Sequence, residues 1–122
     1  MDWQGAENSA LMNVIYRHVS TVNYLSIVAR MRPSTNPILL QALGAALKER
    51  RNELRLTQED VANAAGIDRP YVTLIEAARK QPTISVLWRL AVAVDLAPPD
   101  FAARIERFRQ QLQRVADAPS SR

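Results

Sequence analysis

Side chains that commonly do chemistry are scarce in this sequence. His18 is the only histidine and there is no cysteine. A His-based triad and a cluster of imidazole or thiolate metal ligands are therefore not available within one chain. Glu59 and Asp60 are adjacent at the start of a predicted helix, which suits the positive end of a helix dipole better than acid–base catalysis. No phosphate-cradling glycine-rich loop and no zinc-ligand spacing occurs. No enzyme, cofactor or metal is expected. One segment, residues 58–77, does carry a demanding pattern. It reads as two short helices that cross steeply, with small Ala62 at the crossing and Gly66 able to take a positive φ in the turn. Val61, Ala65, Ile67, Val72 and Ile75 are spaced to fill the angle between them. The spacing is that of a helix-turn-helix; a hairpin used only for packing is the plainer alternative.

Such a motif needs a scaffold, and the composition is suited to one. The chain has 122 residues, 48% apolar and 23% charged, as an ordinary small globular domain has. No uninterrupted apolar run reaches about eighteen residues, so no spanning helix is expected. Residues 1–7 lack the basic start of a secretory signal, and the absence of cysteine suits a reducing compartment. A cytoplasmic protein is expected. The net charge is +4 with a pI near 10.1. It is distributed as +1 over residues 1–40, zero over 41–67, zero over 68–100 and +3 over 101–122. That balance permits a polyanionic partner without requiring one.

Few glycines and punctuating prolines predict an all-α fold. A first helical candidate runs from about Ser9 to Met31, rich in Val, Ile and Leu, and is expected to be an ordered accessory helix. Arg32–Pro37 then breaks the chain. From Ile38, Leu40, Leu43, Leu47 and Leu54 mark an amphipathic helix whose outer face carries Lys48, Glu49, Arg50, Asn52 and Glu53. Thr57 with Asp60 is a capping box for the next helix, Asp68 caps a third and Pro70 falls in its first turn. Thr83 caps a fourth, running to Val94 with Ile84, Leu87, Leu90 and Ala91 inward. Pro98, Pro99 and Asp100 open a last helix from Phe101 to about Ala116. The expected domains are an extension and linker at 1–37, a helix-turn-helix domain at 38–100 and a C-terminal helix and tail at 101–122.

Leu43 to Phe101 resembles the DNA-binding domain of the Cro/repressor (XRE) family of bacterial and phage regulators. Arg51, Leu56-Thr57-Gln58-Glu59, Arg69-Pro70-Tyr71-Val72, Ile75-Glu76, Pro82 and Leu90-Ala91 carry the likeness. It implies a compact five-helix bundle, here with an extra N-terminal helical segment, whose third helix enters a DNA major groove. The resemblance makes Arg69, Pro70, Thr73 and Leu74 the base-reading face. Arginine can bond both acceptors of guanine, while Thr73 and Leu74 can meet a thymine methyl and Thr73 can also hydrogen-bond. It places Gln58 where the family commonly holds a DNA phosphate, and pairs Arg51 with Glu76, as the family often does, in a structural ion pair. Arg79 and Lys80, which follow the third helix, and Tyr71 within it are further phosphate candidates. Where the family usually has glycine after the third helix, this chain has Ala78.

The function implied is a sequence-specific regulator that binds double-stranded DNA as a homodimer on an inverted repeat. Phe101, Ile105, Phe108, Leu112 and Val115 recur at heptad spacing. The first two are expected to pack inward and Phe108, Leu112 and Val115 to meet a second subunit, with an outer face of Arg104, Glu106, Arg107, Arg109 and Arg114. The alternative is an antitoxin-like or accessory protein that binds a partner protein through its terminal helices. A single-stranded nucleic-acid adaptor finds less support, since aromatics are 6% of the chain and form no stacking platform.

Overall fold

The computed structural model describes residues 35–119. Those residues form five helices: α1 (Pro37–Glu53), α2 (Gln58–Ala65), α3 (Arg69–Glu76), α4 (Ile84–Ala93) and α5 (Pro98–Asp117). The expected Ser9–Met31 helix lies outside the described residues. Among the described residues, no helix is long and apolar enough to cross a membrane.

Local chemistry sets most of the boundaries. Asn36 caps α1 by accepting the Leu39 N–H at 3.1 Å, with Pro37 at the first helical position. At α2 the Thr57–Asp60 capping box is reciprocal: Thr57 Oγ1 accepts the Asp60 N–H at 3.0 Å, and Asp60 accepts the Thr57 N–H at 2.9 Å. Hydrogen bonding to Thr57 also holds the Asp60 carboxyl below its ordinary value. Thr83 caps α4 with a single bond, accepting the Val86 N–H at 3.2 Å. Asp68 departs from expectation, because its side chain makes no capping bond. The residue two places on is Pro70, which has no N–H, and the Tyr71 N–H is taken by the Asp68 backbone carbonyl at 3.0 Å. The last helix begins at Pro98, three residues before the expected Phe101, since prolines in a first turn forfeit no hydrogen bond that the helix needs.

All four interhelical turns end their helix with one left-handed residue. Glycine supplies it only at Gly66; Arg55, Ala78 and Asp95 have φ of 58°, 60° and 56°. After α1, α3 and α4 the next N–H reaches back to close the helix: Leu56 to Arg51 O at 2.9 Å, Arg79 to Leu74 O at 2.8 Å and Leu96 to Ala91 O at 2.9 Å. The Ala78 conformation is the one that favours glycine, and alanine costs about 1 kcal/mol more there.

The core joins Ala42, Leu43, Ala46 and Leu47 of α1 to Val61, Ala62 and Ala65 of α2 and to Val72 and Ile75 of α3. It continues through Val86, Leu90, Ala91 and Val94 to Phe101 and Ile105 of α5. Gly44 lets two helices approach closely: a Cβ there would lie 2.7 Å from Glu76 O and 2.8 Å from Ile75 O. The middle of α1 is thus seated on the carbonyl end of α3. Ile84, expected inward, is 71% exposed. It stands two residues before Val86, about 200° around the helix, so α4 turns Val86, Leu90 and Ala91 to the core and leaves Ile84, Trp88 and Val92 outside.

The seam on α5 meets this chain's own core along part of its length. The helix is 20 residues long and packs along the 17-residue α1. Its apolar stripe therefore stays on this chain's core past the first turns: Phe108 and Leu112, expected at a subunit interface, are half-buried against that core. Val115 is 74% exposed. The outer arginines are not all outer either. Arg104 donates to Glu49 at 2.9 Å and to Glu53 at 2.7 Å, and Arg107 donates to Glu49 at 2.6 Å. Arg50, expected on the solvent face, donates to Val94 O at 2.9 Å and Asp95 O at 3.1 Å, satisfying carbonyls at the end of α4.

Candidate nucleic-acid interface

The site is built on α3, held from behind by α1 and from one end by α2. Arg51 of α1 meets Glu76 at the last turn of α3 in a two-pronged pair, Nε to Oε2 at 2.7 Å and Nη2 to Oε1 at 2.9 Å. The Glu76 side chain is only 6% exposed. A carboxylate so placed needs a fixed partner, and its hydrogen bonds raise the pKa of the Arg51 guanidinium above the ordinary value. Arg51 also donates to Leu56 O at 3.0 Å, so one side chain fixes both the end of α3 and the turn into α2.

Gln58, first residue of α2, extends the network. Its Nε2 donates to Glu76 Oε1 at 3.0 Å, and its Oε1 accepts the Thr73 hydroxyl at 2.7 Å. Thr73 Oγ1 also lies 3.2 Å from Arg69 O. A continuous set of hydrogen bonds, Arg51–Glu76–Gln58–Thr73, therefore runs from the base of the motif to the outer face of α3. Residue types alone place these four on neighbouring elements; that Gln58 bonds Thr73 depends on the angle at which α2 meets α3.

Arg69, Pro70, Thr73 and Leu74 share the exposed face of α3 and line one shallow depression. Leu74 is 40% exposed. A second cleft, lined by Arg51, Leu56, Thr57, Gln58, Glu59 and Arg69, lies at the N-terminus of α2, where free N–H groups and the helix dipole favour an anion. Tyr71 is half-buried against the core, and Lys80 Nζ stands 5.2 Å from the centre of its ring, within cation–π range. Arg79 and Lys80 are exposed in the turn that follows α3. Among the described residues, Arg69, Arg79 and Lys80 form no ion pair, and no cluster of His, Cys, Asp and Glu could hold a metal ion.

A positive, partly apolar helix face beside an anion-attracting helix end is the geometry of a groove-binding motif. The helix-turn-helix domain family is matched over residues 42–104, just over half of the chain. The chain belongs to the helix-turn-helix domain family. It is 39% identical over 54 residues to the ImmF control region 10 kDa protein of Bacillus phage phi105, covering 44% of this chain and 60% of that relative's length. Among solved structures, the clp gene regulator ClgR from Corynebacterium glutamicum superposes with a TM-score of 0.61 at 24% identity, covering 70% of this chain and 88% of that one. That likeness is one of fold. The restriction-modification controller protein C.Esp1396I, solved as a tetramer with its natural 35 base-pair operator, is 26% identical with a TM-score of 0.56. There the match covers 59% of this chain and 95% of the other. The all-α fold and the resemblance to repressor-type regulators agree with these matches.

Proposed function

We propose that this chain is a sequence-specific, double-stranded DNA-binding transcriptional regulator that acts as a homodimer on an inverted-repeat operator. The observation that carries the reading is the exposed α3 face: Arg69, Pro70, Thr73 and Leu74 project outward while Arg51, Glu76 and Gln58 fix the helix that bears them. In this reading Arg69 bonds a guanine and α3 lies in the major groove. Gln58 retains one amide N–H for a phosphate near the start of α2, and Arg79 and Lys80 reach the backbone beyond α3. Such contacts set register without reading sequence. Tyr71 acts with them by seating Lys80. The C.Esp1396I complexes, on 35 and 25 base-pair operators, support duplex DNA as the partner.

A single motif of this size touches too few bases for useful selectivity, and a two-fold pair doubles the site. Residues 38–100 make the DNA-binding part in this reading, with α5 closing its core. Val115 and the uncovered edges of Phe108 and Leu112 form the subunit contact. Trp88 of α4 is the competing surface, and Val115→Asp and Trp88→Asp, compared by sedimentation, identify the face that holds the dimer.

Selection from random duplexes with the full chain, at moderate salt and micromolar protein, tests the function. A short inverted repeat with half-sites roughly 10 base pairs apart is expected. Enrichment of no sequence contradicts the reading.

A further inference from the structure

A threonine hydroxyl has one proton to give and lone pairs to receive with. Thr73 stands on the exposed face of α3, yet its hydroxyl lies 2.7 Å from Gln58 Oε1 and 3.2 Å from Arg69 O. Both neighbours are acceptors, so the proton is spent within the protein. Gln58 cannot turn away at no cost, because its Nε2 donates to Glu76 and Glu76 is held by Arg51. Of the other side chains on this face, Pro70 and Leu74 carry no polar group. Arg69 is left as the one side-chain donor, set beside Pro70 and Leu74, which offer carbon, and Thr73, which offers a methyl and an accepting oxygen. Leu74, 40% exposed at the edge of the same depression, would gain from apolar cover.

In the major groove only thymine presents a methyl group, and threonine and aliphatic side chains are suited to it. We infer that α3 reads its half-site mainly through the 5-methyl groups of thymines, with Arg69 adding a single two-pronged bond to a neighbouring guanine. The inference rests on the DNA-binding reading above and deepens it. Thr73 contributes its methyl, and its hydroxyl serves to orient the side chain.

The experiment replaces each thymine of the selected operator, one at a time, by deoxyuracil, which removes the methyl and leaves base pairing intact. One or two positions in each half-site are expected to lose roughly three- to tenfold in affinity for the full chain. Leu74→Ala is expected to bind more weakly and to become insensitive at one of those positions, while its melting temperature serves as the control that the helix bundle is retained. Thr73→Val keeps a methyl and gives up the hydroxyl, and is expected to keep the deoxyuracil penalty. An enriched operator indifferent to every deoxyuracil overturns the thymine assignment alone. So does a Thr73→Val protein that loses discrimination at an adenine or cytosine, because the hydroxyl would then be reading the base. Failure to enrich any operator overturns the duplex-binding reading, and this inference with it.

Discussion

Where α5 meets α1, Arg104 and Arg107 are tied to Glu49 and Glu53, whereas around α3 the basic side chains Arg69, Arg79 and Lys80 form no ion pair among the described residues. Net charge by segment points the other way, since residues 101–122 carry +3 and residues 68–100 carry none. The difference lies in what the carboxylates are doing. Glu76, which would offset a cation on α3, is committed to Arg51. Glu49 and Glu53 come from α1 to meet the arginines of α5, so the most basic segment is partly compensated by a neighbouring helix. Availability to a polyanion follows pairing in the fold and not a sum along the chain.

The largest expected effect comes from breaking the pair that divides the two faces. Glu76→Ala leaves the nearly buried Arg51 guanidinium without its carboxylate, keeping only the bond to Leu56 O, and frees Gln58, so a loss of about 3–5 kcal/mol is expected in urea unfolding. Arg104→Ala removes a partly exposed guanidinium from carboxylates that water can reach, and its cost is expected to stay within about 1 kcal/mol. Equal costs for the two substitutions would erase the distinction between them.

Gly44→Ala comes next. The added Cβ would press on the Ile75 and Glu76 carbonyl oxygens, and α1 would have to lift away from α3. A loss of about 1–3 kcal/mol is expected, with the outer half of α5 unaffected in hydrogen exchange. Ala78→Gly has the opposite sign. It relieves a left-handed alanine at φ 60° and is expected to stabilise by about 1 kcal/mol, read as a raised melting temperature with Arg79 and Lys80 still in place.

Smallest is the part of the acid response that Glu53 carries on the α1–α5 face. Hydrogen bonds from Arg104 and then Arg50 lower the Glu53 carboxyl from an ordinary 4.5 to about 2. A depressed folded value means that its contribution is complete above pH 4.5 and is lost as pH falls towards 2. Glu53→Gln is expected to flatten that part of the melting-temperature profile. An unchanged profile between pH 4.5 and 2 would show that the contact carries no stability.

Much of the scaffold could be read from residue types because its cues are local. Thr57 with Asp60, Thr83, Pro37 and Gly66 each act within four residues of themselves, and four helix starts or stops fall at or beside them. Cues that depend on another element were not legible in that way. Ile84 reads as core by type, yet at the first position of α4 it lies on the side away from Val86. Phe108 and Leu112 keep a heptad spacing whether they face a second subunit or this chain's own α1, so spacing cannot choose between them. Arg50 belongs to the polar face of α1 by periodicity, but the end of α4 arrives there with carbonyls to satisfy. In the candidate site, the exposed set on α3 was legible from the motif. The Gln58–Thr73 bond, which decides what Thr73 can offer a base, was not. A glycine in mid-helix, Gly44, was the available signal for close packing of α1 on α3.

On the proposed function the α3 face, whose cations form no ion pair among the described residues, meets DNA, and the paired arginines of α5 do not. The most direct test of this claim compares the wild type, Arg69→Ala and Arg104→Ala on the selected operator and on a scrambled duplex at one fixed salt concentration. Arg69→Ala is expected to lose about 1–3 kcal/mol on the operator and much less on the scrambled duplex, while Arg104→Ala binds both as the wild type does. An Arg69→Ala protein weakened equally on both duplexes, or an Arg104→Ala protein weakened as much on the operator, would contradict the claim.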